Sequence, residues 1–402
     1  MSSKVMPYHE NSMVLKGIFA VCLVVPFSID IFLSSLPAMK IYFHGANTTL
    51  IMSVFLLGFA ISQPIYGPLL DRFGRRPVLL TGLFIYVISS FFLMFVHSFE
   101  LLLLARFIQA MGACSSVVAI PTIARDLYEK EKLVQAISFI MALIGVSPIL
   151  APLLGSILTS FFYWRASFIF LFILGVFFLI FIGLFLKETI AKKNTDALNF
   201  KHIIQTYWNL AKQKNFILPC FFSGISYAIM FSYFGLSSVF IIQQMHLSVV
   251  SYGLLLALNA VPIILMSIMT PKFAKIFSLS RIIQLGFYFI LLGATLIWIL
   301  NSYFLENIYI LSFPMFIVTI GIGLIRPSAS ASALGAVDKK NAGFASAFYN
   351  FFSFLSGSLA SAVSSKYIQH ISVFGVIIFS ATTLTLIILS VYSKPRKHTY
   401  IN

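Results

Sequence analysis

The stretch "GPLLDRFGRRP", residues 67–77, lies between two apolar runs, "LIMSVFLLGFAISQPIY" (50–66) and "VLLTGLFIYVISSFFLMFV" (78–96). Three arginines, an aspartate and two glycines share one short turn between segments of the length needed to cross about 30 Å of hydrocarbon. A chain built this way crosses a bilayer, turns and crosses back. The cations in the turn mark the side on which it turns, because lysine and arginine accumulate in cytoplasmic loops.

The rest of the chain repeats the pattern. Of 402 residues, 60% are hydrophobic and 9% charged, against roughly a quarter charged in a soluble domain, so the fold class is an all-α polytopic membrane protein. Apolar runs bounded by charges, Gly, Pro or Asn give about twelve spans, at 15–37, 47–69, 77–97, 99–121, 133–156, 164–187, 216–241, 249–271, 281–301, 308–329, 342–363 and 371–392. The first run is longer than the core of a signal peptide and is expected to stay as a helix. The three cysteines, Cys22, Cys114 and Cys220, each sit inside an apolar run, where they read as small core residues and suggest neither a disulfide framework nor a metal site.

A net charge of +16 in a soluble protein would point to nucleic acid. Here the spans account for it. With the N-terminus inside, the cytoplasmic segments hold Lys4 and Lys16; Arg72, Arg75 and Arg76; Arg125, Lys130 and Lys132; the lysines from Lys187 to Lys214; Lys272, Lys275 and Arg281; Lys339 and Lys340; and Lys394, Arg396 and Lys397. Lys40, Arg165 and Lys366 remain outside. This asymmetry places both termini in the cytoplasm.

The longest polar stretch, residues 187–215, divides the chain into equal halves, 1–186 and 216–402, each with six spans. Within it Phe200, Ile203, Ile204, Tyr207 and Leu210 recur at helical spacing with lysines opposite, the pattern of a short amphipathic helix on the membrane surface. Two sets of six spans suggest an internal repeat, with one faint echo: Gly82 and Gly286 occupy similar places in the two halves.

In the opening turn, Gly67 is expected to let two helices approach closely and Gly74 to supply the permissive backbone of a tight turn. Pro77 suits the first turn of span three. Asp71 stands at a helix C-terminus, where the dipole disfavours an anion, so it needs a partner such as a helix N-terminus or an arginine. A positive-inside anchor explains Arg72, Arg75 and Arg76 alone, whereas a separable ionic latch also explains Asp71 and the glycines.

This turn resembles the cytoplasmic signature of the major facilitator superfamily. More narrowly, "DIFLSSLPAM", "LLLLARFIQAMGA", "SPILAPLLGS", "WRASFIFL" and "NAGFASAFYNFFSF" resemble, in order, the drug:proton antiporters of its bicyclomycin-resistance (Bcr/CflA) branch. The resemblance implies twelve transmembrane helices in two six-helix bundles, alternating access and a bacterial-type cytoplasmic (inner) membrane.

Ionisable residues inside the spans are functional candidates, since an unpaired charge in hydrocarbon is costly. Asp30 in span one and Arg106 in span four each lie about seven residues from the same outer surface, roughly 10 Å deep, so they are expected to face one another across a cavity. Asp30 then reads as a proton or substrate-cation site, its charge disfavoured by burial and favoured by Arg106; the alternative is a permanent ion pair that holds helices together. The resemblance implies proton coupling for both residues. Arg326 and Arg165 are expected to reach an interface as anchors, Arg165 being also a packing feature of "WRASF".

Spans four, seven and ten carry polar faces. Arg106, Gln109, Ala113 and Ser116 share one in span four; Ser223, Ser226, Tyr227, Met230, Tyr233, Phe234 and Ser237 one in span seven; Ser312, Met315, Thr319, Gly323 and Arg326 one in span ten. With Asp30 in span one, such faces suit a water-accessible cavity, lined by Gln109, Tyr227, Tyr233, Phe234 and Thr319. Aromatic faces beside one carboxylate suit amphipathic or cationic aromatic compounds. In span five, Pro148 and Pro152 each remove a helix amide, and Gly145 and Gly155 allow close packing, so a bent helix between the halves is expected. The resemblance implies the antiporter signature here, although "GVSPILAPLLG" has Ser147 and Pro148 where many exporters have Gly-Pro.

The reading is a proton-coupled exporter of small amphipathic molecules. The alternative is a dedicated exporter or importer of one metabolite, such as a siderophore or amino acid. The seven histidines are scattered and no cluster has metal-ligand or nucleophile–base spacing, so an enzyme is not expected. Nor is ATP, in the absence of a Gly-Lys-Ser/Thr phosphate loop. No cofactor beyond the coupling proton and no metal is expected. The partners are a small-molecule substrate, protons and the bilayer, without nucleic acid, and the chain is expected to act as a monomer.

Overall fold

The computed structural model describes residues 12–190, 193–194, 197–303, 308–338, 341–364 and 371–392. Of the charges used above for orientation, Lys4, Lys192, Lys339, Lys340, Lys366, Lys394, Arg396 and Lys397 lie outside these residues. The first six spans are Met13–Tyr42, Thr49–Phe73, Arg75–Phe95, Phe99–Leu127, Lys130–Phe162 and Arg165–Phe185. After the linker helix, Phe200–Lys212, follow Lys214–Gln244, Val249–Phe273, Leu279–Tyr303, Ile308–Gly335, Ala342–Ser364 and Ile371–Tyr392. Eleven of these twelve are long and apolar enough to cross a membrane. The exception, span eleven, is a helix of 23 residues whose hydropathy is diluted by a face of small polar residues. Ala345, Ser353, Gly357, Ser358, Ser361 and Ser364 are buried there, where small side chains let helices pack closely.

Several spans run past the ends of their apolar stretches: span one reaches Tyr42, span four Leu127 and span ten Gly335. A helix does not stop where hydrophobicity stops, because its backbone bonds continue into the interface.

Spans two and three are joined by Gly74 alone, at φ 108°, a left-handed conformation that a side chain resists. Span one is irregular. Its helix gives way to 3₁₀ turns at Val21–Leu23 and Leu33–Ser35, with a turn at Ile31 and Phe32 directly after Asp30 whose backbone stays in the right-handed helical region. Such interruptions free backbone carbonyls in the bundle interior and mark functional positions in membrane helices. Here Gly155 of span five packs directly on the Ile31 carbonyl, leaving no room for a Cβ.

The repeat is visible at one crossing in each half. A Cβ on Gly112 of span four would come within 2.6 Å of the Gly82 carbonyl of span three. In the second half, a Cβ on Gly286 of span nine would come within 2.8 Å of the Gly321 carbonyl of span ten. The echo between Gly82 and Gly286 thus reflects two equivalent close crossings. Gly67 and Gly145 differ from expectation: a Cβ on either meets nothing within 4 Å, so neither is required for close packing.

The halves meet through span two against span eleven and span five against span eight. Ser358 Oγ donates to the Ser53 carbonyl at 2.7 Å, the rings of Phe59 and Phe354 lie 4.6 Å apart, and Gly253 packs on Ser156 and the Pro152 carbonyl. Gln243 Nε2 also donates to the Pro37 carbonyl at 3.4 Å. These polar contacts gather at the end of the bundle opposite the linker. At the linker end, Tyr207 donates to the Pro64 carbonyl of span two at 3.4 Å and packs on Phe344 and Phe348 of span eleven. The linker helix therefore bridges both halves. Its apolar residues divide between two faces: Leu210 is buried, while Phe200, Ile204 and Trp208 form an exposed stripe. Span five runs unbroken through Pro148 and Pro152.

Overpacking a close crossing costs about 1–3 kcal/mol or more. Gly112→Val and Gly321→Val are each expected to lower the thermal unfolding midpoint of the purified protein. Gly67→Ala, placed in open space, is expected to leave it within about 0.5 kcal/mol of wild type.

Candidate functional site

The turn after span two is an ionic cluster. Arg75 Nη1 donates to Asp71 Oδ1 and Nε to Asp126 Oδ2, both at 2.9 Å, so Asp71 finds its partner in an arginine one turn on. Nη1 also donates to the Leu70 carbonyl, which accepts from the Gly74 amide as well. The first amides of span three are held by Glu188, from just after span six: Arg75 N and Arg76 N donate to its two carboxylate oxygens. A carboxylate at a helix N-terminus meets the favourable end of the dipole. Arg76 reaches the Gly183 carbonyl at 2.8 Å. Glu188 and Asp126 were not singled out by the motif; the acid just after span six and the one ending span four become informative only once the helix ends are brought together. Every contact named here joins elements of the first half to one another or to Glu188 at the start of the linker.

Arg106 is fully buried and does not face Asp30. Its Nη2 donates to the Ser28 carbonyl at 2.9 Å and its Nη1 to Gln109 Oε1. The guanidinium carbon lies 4.3 Å from the ring centroids of both Phe32 and Phe55, so cation–π attraction takes the place of a counter-ion. Gln109 is likewise fully buried, its amide donating to Ser90 Oγ at 2.7 Å. It thus corrects the cavity-lining expectation: Gln109 is an internal strut between spans three and four. The helical spacing was right about a shared face, but that face packs inside the first bundle.

Asp30 is 5% exposed. Among the described residues its carboxylate makes no hydrogen bond and no ion pair. It lies twelve residues before the end of span one at Tyr42, about 18 Å along the helix at 1.5 Å per residue. The cation whose charge reaches it is Arg326 of the second half. Its own charge reaches Tyr252 of span eight.

Arg326 is therefore not an interface anchor. Nine residues separate it from the end of its helix at Gly335, about 14 Å along the helix. It turns inward instead: Nη2 donates to Tyr227 Oη, the Tyr227 ring lies 4.2 Å from the guanidinium carbon, and Nη1 meets Met230 Sδ at 3.8 Å. Tyr349 of span eleven donates to the Arg326 carbonyl at 3.1 Å. Arg165 behaves as the packing residue expected, donating to Tyr42 Oη at 2.8 Å with its guanidinium over the Trp164 ring.

Of the remaining expected lining residues, Tyr233 accepts from Asn259 Nδ2 of span eight at 3.0 Å and is buried with Tyr227 and Thr319. Phe234 is half-buried against Phe231. Thr319 donates to the Phe316 carbonyl of its own helix. Phe354 contacts both Phe59 and Tyr227, and so runs an aromatic path from the first half to the Arg326 site.

The chain compares with known proteins as follows. Residues 18–361 match the sequence model of the Major Facilitator Superfamily. A bicyclomycin resistance protein homolog of Haemophilus influenzae is 26% identical over 250 residues, which are 62% of this chain and 63% of that protein. Multidrug resistance protein D of Escherichia coli is 40% identical over 124 residues, 31% of this chain and 32% of that protein. The chain thus matches less than two thirds of the length of either relative. Among solved structures, a POT family transporter in complex with a thioalcohol conjugated peptide superposes with a TM-score of 0.79, covering 94% of this chain and 96% of that one at 14% identity; this likeness concerns the fold.

Arg106 and Asp30 are expected to separate on substitution. Arg106→Met leaves the Ser28 carbonyl and Gln109 Oε1 buried without their donors, at about 1–3 kcal/mol each, and should markedly lower the unfolding midpoint. Asp30→Asn removes no bond and should leave the midpoint close to wild type; a reversed order in thermal unfolding would contradict these assignments.

Proposed function

The chain belongs to the Major Facilitator Superfamily, a family of transporters rather than enzymes, and we propose that it is a proton-coupled exporter of small amphipathic compounds. One observation carries this reading: a buried carboxylate, Asp30, stands without a bonded partner at the break in span one and within electrostatic reach of an arginine on the opposite half. A charge so placed is costly unless neutralised by a proton or a bound cation. A group that takes either is the minimum equipment for exchanging one for the other.

In the cycle we infer, the two six-helix bundles rock about the Asp30–Arg326 level. Asp30 takes a proton when open to the outside and releases it inside as substrate cation displaces it. The contacts of Ser53 with Ser358 and of Pro37 with Gln243 then belong to a state closed on the outer side, with both termini and the linker in the cytoplasm. Arg106 positions Asp30 by holding the Ser28 carbonyl two residues before it. The cluster of Asp71, Arg75, Asp126 and Glu188 keeps the inner ends of the first half together as one rocking body.

The names of the relatives in Haemophilus influenzae and Escherichia coli, a bicyclomycin resistance protein homolog and a multidrug resistance protein, support drug efflux. So does the aromatic surface of Tyr227, Phe231, Phe234 and Phe354, which accepts flat apolar rings without demanding one shape.

The test is transport in proteoliposomes under an imposed pH gradient, with aromatic cations, neutral antibiotics and metabolites as solutes. Several unrelated compounds should move and compete, and Asp30→Asn should abolish gradient-driven movement while remaining folded. Normal proton-driven transport by the variant would sink the role of Asp30. Movement of a single metabolite would replace multidrug export with a dedicated carrier.

A further inference from the structure

Proton exchange at Asp30 gives no task to Arg326. A guanidinium within a span is as costly as a carboxylate there, and a carrier of simple cations is poorly served by a fixed positive charge whose field reaches its binding acid. The other arginines within the spans are occupied: Arg106 by the Ser28 carbonyl, Gln109 and two phenyl rings, and Arg165 by Tyr42, the Val96 carbonyl and Trp164. Arg326 makes only two side-chain hydrogen bonds among the described residues, to Tyr227 Oη and to the weak thioether acceptor Met230 Sδ. No carboxylate there lies within ion-pair distance of it.

The local chemistry is that of an anion site. A guanidinium carries five N–H donors in a rigid fork that matches two carboxylate oxygens, so donors remain after Tyr227 and Met230 are served. The Tyr227 ring stacks on the guanidinium and fixes its plane. Because Tyr227 Oη accepts from Arg326, its own proton is free to donate to an anion beside the fork. Tyr349 holds the Arg326 backbone carbonyl from span eleven, so the group is braced from two helices. It is half-buried rather than sealed, and the carboxylate of Asp30 on the other half feels its charge without bonding to it.

We propose that Arg326 and Tyr227 bind the anionic end of the substrate while Asp30 takes its cationic end, so that the transported compound is a zwitterion: an aromatic frame bearing a carboxylate and an amine. This rests on the exporter reading of the Asp30 site and narrows its substrate class. Such a molecule neutralises both charges at once and bridges the two halves. The aromatic path of Tyr227 and Phe354 supports its ring.

The test is equilibrium dialysis of the purified full-length protein against two matched pairs, a zwitterionic fluoroquinolone and its methyl ester, and tryptophan and its methyl ester. Esterification removes the carboxylate charge and keeps the amine and the ring. For at least one pair the wild type should bind the acid about tenfold or more tighter than the ester, as expected of a charge-assisted pair. Arg326→Gln should bring that ratio to about one. Arg326→Lys, which keeps the charge and loses the fork, should give an intermediate ratio, as should Tyr227→Phe, which keeps the ring and loses the hydroxyl. All three variants are compared at matched thermal stability, and should Arg326→Gln fail to fold, Arg326→Lys and Tyr227→Phe decide. A wild-type ratio near one, a preference that survives Arg326→Gln, or no binding of either acid at millimolar concentration would overturn the proposal. Because dialysis needs no gradient, acid preference without proton-driven transport would cost the exporter reading alone.

Discussion

Charge inside an apolar bundle is the constraint on which the rest of this structure depends. A carboxylate or guanidinium moved from water into hydrocarbon must be bonded, paired or made neutral, and this chain uses a different solution at each site. At the turn after span two the charges are at the interface and form a bonded cluster, with Glu188 capping span three and Arg75 shared between Asp71 and Asp126. Arg106 is held by a backbone carbonyl, an amide and two aromatic faces. Asp30 and Arg326 stand in opposite halves, the charge of one reaching the other with no bond between them. The first two arrangements build rigid bundles; the third leaves charge available where the bundles meet.

The packing keeps that boundary in place. Gly112 against Gly82 and Gly321 against Gly286 seat equivalent helix pairs in the two halves, so each half is a body with the same internal crossing. Between the bodies the contacts are small side chains and rings, Ser53 with Ser358 and Phe59 with Phe354, which can separate without stranding a charge. The break in span one places Asp30 at its edge and packs the Ile31 carbonyl on Gly155, coupling the carboxylate to span five. Tyr207 of the linker touches both halves at the opposite end.

Much of this was legible in the sequence because hydrophobicity and charge act over whole segments. The spans, the linker helix and the inward-pointing Asp30 follow from runs of about twenty residues and from charges that interrupt them, and the superfamily from the resemblance of motifs such as the turn at 67–77. What failed was direction. Arg326 read as an anchor because it stands near the end of its apolar run, whereas its side chain turns inward to Tyr227 and Met230 of span seven. Gln109 shares a polar face with Arg106, but periodicity cannot say whether that face meets a cavity or span three. Gly67 is part of the motif, yet it has open space around it. The partners Glu188 and Asp126 come from distant helix ends, and no local pattern joins them to the turn.

The account stands or falls on Asp30 exchanging a proton for the cationic part of a substrate. Proton release on ligand binding measures this directly: an aromatic cation is added to the purified protein in weakly buffered solution and the pH change is followed. Wild type is expected to release about one proton per ligand bound at a pH where Asp30 is protonated beforehand, and Asp30→Asn is expected to release none while still binding the ligand. Equal release from both proteins would contradict the account and move the coupling proton to another group.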